Sequence, residues 1–241
     1  MILTIISGAS RGIGRAIAED LRGLGHKFIL LSSYVVGFYD YDAVYEKVCQ
    51  MLDNNNDDIE QINIILCAAQ IGTAHNTDPK EADTLYRINV LGNLSVINAV
   101  VDSFREDPPR MRIVWFAGGG AAYPFPDFFA YSLSKVAVVR AVENLSISLK
   151  KTIENLCIIA LAPGAVDTDM LRAVIESGSE IRTHTDISEP VNFVHKFITD
   201  KLDTQRLNGK FLHVRDNLNL LSWEEVIDKD IYKLRRIEHL R

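Results

Sequence analysis

The sequence offers little to hold it in a membrane, on nucleic acid or in an oxidising compartment. Its three cysteines, Cys49, Cys67 and Cys157, form no C-x-x-C pair and no even set, which excludes a disulfide framework. Cys67 and Cys157 lie in apolar, strand-like runs and read as core residues of a protein kept reduced. No run approaches the length of about 18 apolar residues that a membrane-spanning helix needs. Met1 to Ile6 lacks a basic segment and meets Gly8 too soon for a secretory signal, so the cytoplasm is the expected location. A formal charge of −6, relieved by no basic run, argues against a nucleic-acid partner. The six histidines show neither H-x3-H nor H-E-x-x-H spacing, and no metal site is expected.

What remains is an ordinary globular composition, 47% apolar and 24% charged over 241 residues, with no linker and no internal repeat. One domain over residues 1–241 is expected. Short β-branched runs at Ile2–Ile6, Phe28–Leu31, Ile62–Cys67, Ile113–Ala117, Leu156–Leu161 and Lys210–Val214 read as buried strands. Helical patterns fall between most of them, including two long ones over about 79–104 and 128–150. This alternation predicts an α/β fold, a doubly wound parallel sheet of Rossmann-like type covered on both faces. One stretch breaks the rhythm. Only six residues separate Ser33 from Asp40, too few for a crossover of about 10–12, so the third strand and helix region is abbreviated.

Three stretches carry chemistry. Gly8-Ala9-Ser10-Arg11-Gly12-Ile13-Gly14 lies between the first strand and the first helix, where it forms a phosphate cradle. Gly8 permits the tight exit, Gly12 the close approach of a pyrophosphate and Gly14 the close helix packing, while the helix N-terminus favours negative charge. The second strand ends on Ser32-Ser33 with no carboxylate to bind a ribose 2′-hydroxyl. Two hydroxyls with Arg11 suit a 2′-phosphate, hence NADP over NAD. Tyr131 and Lys135 stand four apart on a predicted helix and so share one face. A positive charge beside a phenol favours the phenolate, which suits proton exchange with a carbonyl or alcohol oxygen.

Taken in order, these motifs resemble those of the short-chain dehydrogenase/reductase family over essentially the whole chain. The family's T-G-x3-G-x-G turn is matched from Ser7 to Gly14, its N-V-x-G by Asn89-Val90-Leu91-Gly92, and its Y-x3-K by Tyr131 and Lys135. Its P-G-x-V-x-T is matched by Pro163-Gly164-Ala165-Val166-Asp167-Thr168. The resemblance implies an oxidoreductase interconverting a small carbonyl and an alcohol. Lys135 would also hold the nicotinamide ribose, Thr168 the carboxamide, and Asn89 a water in a proton relay, while Asp40 would stand near the adenine. It further implies a homodimer or homotetramer through the two long helices, both of which carry surplus apolar positions. Three departures accompany it. Cys67-Ala68-Ala69-Gln70 replaces N-N-A-G, the stretch after Ser33 is short, and Gly118 stands where the family places a catalytic serine. No hydroxyl occurs between Trp115 and Tyr123. The alternative reading is therefore a nucleotide-binding relative that has lost catalysis and acts as a sensor or partner. A last amphipathic pattern, Ile231, Leu234, Ile237 and Leu240, reads as a tail docking on the protein's own body or a sister subunit.

Overall fold

The computed structural model describes residues 1–54, 58–179, 181, 184–216, 218 and 234. Eight strands are present among them: β1 (Ile2–Ser7), β2 (Lys27–Leu31), β3 (Gln61–Leu66), β4 (Arg110–Phe116), β5 (Leu156–Ala162), β6 (Ala165–Val166), β7 (His184–Thr185) and β8 (Phe211–His213). Six make one parallel sheet in the order β2-β1-β3-β4-β5-β8, and β6 and β7 form a separate small ladder. The chain leaves β1 for β2 on one side, then returns past β1 to β3 on the other. The crevice at the carboxyl ends of β1 and β3 is therefore a topological switch point, where open α/β sheets bind ligands.

Side chains alternate between the two faces, as the pleat requires. Leu3, Ile5, Ile64 and Ile113 pack beneath α2 (Tyr41–Asp53), α4 (Gly92–Ser103) and α6 (Phe129–Ser148). Ile6, Ile65, Val114 and Ile159 meet α1 (Gly12–Leu21) and α8 (Ser188–Ile198) on the other face. Both faces are dry and both are covered, which is why these strands read as continuous apolar runs.

The abbreviated stretch is a compact turn. The Val35 and Val36 amides both donate to the Ser32 carbonyl, at 2.9 and 3.0 Å. Phe38 is buried, and its carbonyl passes so close to Gly92 that a Cβ there would lie 2.5 Å away. Asp40 then caps α2, its carboxylate accepting from the Ala43 amide at 3.0 Å.

The first long helix is two helices joined by a π-turn. Asp78 caps α3 (Pro79–Tyr86), Pro79 occupies its first turn, and a π-turn over Arg87–Leu91 leads into α4. Such a bulge often marks a functional site, and this one carries Asn89. Gly118 leads into one helical turn, α5 (Gly119–Ala122), which Ala121 and Ala122 help to close despite the run of glycines. The segment after β5 holds α7 (Asp169–Glu176), and α9 (Thr204–Leu207) precedes β8. Of the tail pattern, Leu234 alone is among the described residues; Ile231, Ile237 and Leu240 lie outside them. The Leu234 amide donates to Glu143 Oε1 at 2.6 Å and its carbonyl accepts from Arg140 at 3.0 Å, so this residue docks on α6 of its own chain. Among the described residues no helix is long and apolar enough to cross a membrane.

Candidate active site

A cleft of about 960 Å³ runs along the carboxyl ends of the strands, from Ser32 and Ser33 past the glycine turn to Tyr131 and Lys135. Its size falls within the usual range of small-molecule and cofactor sites. The glycine turn is built for close approach. Gly8 has a φ of +68°, and a Cβ there would lie 2.8 Å from the Ala68 amide nitrogen. No side chain caps α1 and no acidic residue sits in its first turn, which leaves its N-terminus suited to an anion. Ser10, Arg11, Gly12, Ile13 and Gly14 all line the cleft. Arg11 does not point to Ser32 and Ser33. Its guanidinium pairs with Asp169 of α7 at 3.2 Å across the mouth of the cleft, both groups largely exposed.

At the far end Tyr131 and Lys135 face the cleft from α6, one turn apart, 8% and 3% exposed. The Lys135 ammonium donates to the Phe116 carbonyl at 2.8 Å and lies 5.4 Å from the centre of the Tyr131 ring. Burial pulls Lys135 down to about 8, against a smaller upward push from the Cys67 thiol. Burial also pushes the Tyr131 phenol above its ordinary value. The expectation that Lys135 lowers the phenol is thus not met in this state. The lysine is itself desolvated and spends a hydrogen bond on backbone, so the burial of Tyr131 prevails. Gly118 stands beside the phenol, where an added Cβ would lie 3.0 Å from Tyr131 Oη. Its φ of 168° and ψ of 172° describe extended backbone open to any residue, so the missing side chain is not a backbone requirement.

The remaining predicted residues divide between lining and support. Pro163 and Thr168 line the cleft. The Thr168 hydroxyl also caps α7, accepting from the Leu171 amide at 3.5 Å and donating to the Val166 carbonyl at 3.2 Å. Gly164 and Val166 sit behind this wall: Gly164 packs against Thr185, and Val166 pairs with Thr185 in the β6–β7 ladder. Asn89 is fully buried, and its amide clamps two segments together. It accepts from the Gln70 amide at 2.8 Å and donates to the Gln70 carbonyl and to Ser134 Oγ, each at 2.9 Å. Its main-chain carbonyl accepts from the Asn93 side-chain amide at 3.2 Å.

Sequence reasoning missed three participants. Cys67, expected in the core, is only partly buried and lines the cleft beside Lys135, because β3 ends one residue earlier at Leu66. Asp169 holds Arg11 from 158 residues away. Tyr39 lines the cleft at its Ser32–Ser33 end, and the aromatic-rich segment 34–39 was its signal.

The sequence model of the family described as short chain dehydrogenase matches residues 3–178. Among curated proteins, the chain is 26% identical over 189 residues to an uncharacterized oxidoreductase of Staphylococcus saprophyticus, spanning 70% of this chain and 80% of that protein. It is 24% identical over 200 residues to a benzil reductase of Bacillus subtilis, covering 76% of this chain and 82% of the relative. Among solved structures, 4-hydroxyisoleucine dehydrogenase complexed with NADH superimposes with a TM-score of 0.73 at 17% identity, over 92% of this chain and all of that one. A short-chain dehydrogenase/reductase of Saccharomyces cerevisiae gives 0.71 at 20% identity, over 90% of this chain and 96% of that one.

Proposed function

The chain belongs to the short chain dehydrogenase family of oxidoreductases, which implies a nicotinamide cofactor, and from that premise we propose an NADP(H)-dependent enzyme that interconverts a carbonyl and an alcohol. The observation that carries this reading is the pairing of Tyr131 and Lys135, both buried and both facing the cleft that begins at the glycine turn. The residues present fit such a cofactor. Gly8 and Gly12 keep the turn open, α1 offers an uncapped N-terminus, and Pro163 and Thr168 wall the end nearest Tyr131. When bound, the nicotinamide supplies or accepts the hydride.

The chain's own residues handle the proton. A phenol raised by burial stays protonated at neutral pH, so Tyr131 is poised to donate at the oxygen of a carbonyl, the reductive direction. Lys135, at about 8, is still mostly cationic at neutral pH and stabilises the negative charge that develops on the phenol as its proton leaves. Asn89 holds the Gln70 loop to α6 and so fixes the cleft wall near Tyr131, and by family resemblance it is the residue that would hold a relay water. Ser32, Ser33 and a released Arg11 supply two hydroxyls and a charge for a 2′-phosphate, hence the preference for NADP(H).

Near Tyr131 the cleft is lined by the apolar Ile71 and Met170, which rest on a buried cluster of Phe128, Leu171 and Val174. We accordingly propose an uncharged, apolar carbonyl as substrate, a reading in line with the benzil reductases among the relatives. We also propose a homo-oligomer through α6, which leaves Phe129, Leu133, Val136 and Ile147 exposed along one stripe. Within the other long stretch, 79–104, α4 exposes no large apolar side chain because α2 covers it, whereas Tyr86 at the end of α3 is exposed. Three free cysteines fit a cytoplasmic setting.

The second reading, a relative without catalysis, draws on Gly118, which leaves no side-chain donor beside Tyr131 Oη. Calorimetric titration with NADPH and NADH, followed by a carbonyl panel monitored at the nicotinamide absorbance, separates the two. Binding with turnover supports the enzyme; binding without turnover on any carbonyl or alcohol leaves the second reading.

A further inference from the structure

The cleft end nearest Ser32 and Ser33 has an unusual wall. Among the described residues no strand lies beyond β2 in the sheet, and the turn over residues 34–39 forms this wall through Gly37, Phe38 and Tyr39. Tyr39 lines the cleft there and is 49% exposed, a large aromatic left open to solvent. It is nonetheless held. Phe38 before it is buried beneath α4, Asp40 after it caps α2, and the turn is closed by two bonds to the Ser32 carbonyl. The Arg87 guanidinium lies over the Tyr39 ring at 5.2 Å from its centre and over the Tyr41 ring at 5.7 Å. Asp83 fixes that guanidinium through a 2.9 Å bond to its Nε. The three groups form a braced stack: Tyr41, Arg87, Tyr39. Tyr34 makes the contrast, 91% exposed and outside the cleft.

We propose that Tyr39, backed on one face by Arg87, is the platform on which the adenine ring of the cofactor stacks. This rests on the nicotinamide-cofactor reading above. A flat heteroaromatic base is the ligand such a surface recognises, since stacking on an aromatic side chain needs a π-face and no particular hydrogen-bond pattern. A cation on the rear face also withdraws density from the ring and fixes its tilt, so the platform exists before the base arrives.

Calorimetric titration of the full chain with three probes tests this: NADPH, adenosine 2′,5′-bisphosphate as the adenine half, and reduced nicotinamide mononucleotide as the half without adenine. Tyr39→Ala should weaken NADPH and the bisphosphate about 5- to 150-fold, the range for one stacked base, and leave the mononucleotide unchanged. Tyr39→Phe should bind all three as wild type does, and Arg87→Met should weaken the two adenine-bearing probes by a smaller factor. Should Tyr39→Ala not fold, adenine-to-tyrosine nuclear Overhauser contacts in wild type that vanish in Tyr39→Leu serve the same purpose. Wild-type affinity for the bisphosphate in Tyr39→Ala, or absence of those contacts, overturns the platform while leaving the cofactor reading intact. A wild-type chain that binds none of the probes overturns both.

Discussion

Lys135→Met removes one charge from a buried site and keeps most of the side chain's volume, so its effect on stability can be worked out from burial. Lysine titrates near 10.5 when solvated and is pulled to about 8 here. Between those values the unfolded chain binds more protons than the folded one, and stability rises with pH. The cost of burying the ammonium is therefore fully present below about pH 8 and fades as pH rises. At about 1.4 kcal/mol per unit, the wild-type protein should gain roughly 2–3 kcal/mol between pH 7 and pH 10 from this group alone. Tyr131 acts in the opposite sense. Its phenol titrates above the ordinary tyrosine value, so it takes stability away as pH climbs past 10. Both proteins keep Tyr131, and its effect cancels in their difference. The variant also leaves the Phe116 carbonyl without its donor, an offset of about 1–3 kcal/mol that does not change with pH. Urea unfolding of both proteins at pH 7, 8, 9 and 10 measures the difference curve. It should move by roughly 2–3 kcal/mol in favour of wild type as pH rises. A difference that stays flat within about 0.5 kcal/mol would refute the claim that Lys135 is held against its own desolvation.

Other outcomes follow from the same geometry. Gly118→Ser restores a hydroxyl beside Tyr131 Oη, where the backbone is already permissive; kcat/KM should rise at least about tenfold, with a ceiling near 10²–10³. A flat or lower rate would mean that the space at Gly118 belongs to the substrate. Arg11→Ala should weaken NADPH about 5- to 100-fold and NADH much less, read by calorimetry; equal losses for both would remove Arg11 from the 2′-phosphate. Asp169→Ala releases Arg11 from an exposed pair and should tighten NADPH by less than about fivefold, since exposed pairs are weak. Light scattering at micromolar concentration should find a homodimer or homotetramer, and Leu133→Glu with Ile147→Lys should convert it to a monomer; a monomeric wild type contradicts the oligomer.

Much of the scaffold was legible because it is written locally. The strand runs are apolar on both faces, Pro79 and the glycine turn punctuate them, and the shortage of residues after Ser33 foretold the missing crossover. Tyr131 and Lys135 were legible for the same reason, a fixed spacing on one helix. What stayed hidden depends on contacts between distant residues. Nothing local to Arg11 announces Asp169, and nothing near Tyr39 announces Arg87, 48 positions away. The effect of Lys135 on Tyr131 was misjudged because spacing reports proximity, whereas burial and the Phe116 carbonyl decide the outcome. Asn89 stood out by its motif, but its clamp on Gln70 and Ser134 follows from the π-turn, which no apolar period reveals. The turn at Gly119–Ala122 was masked by its glycines, whose low helix propensity is overridden by packing against α6.

The central claim is that Tyr131 carries the proton in a reaction driven from a bound NADPH. One measurement addresses it most directly: NADPH consumption by wild type and Tyr131→Phe against a panel of apolar aromatic diketones and ketones, with NADPH affinity measured on the same samples. The account predicts turnover by wild type on at least one member. It predicts almost none by Tyr131→Phe at unchanged NADPH affinity, because the ring still packs and only the hydroxyl is gone. Equal rates in the two proteins, or no consumption by a wild type that binds NADPH well, would contradict it.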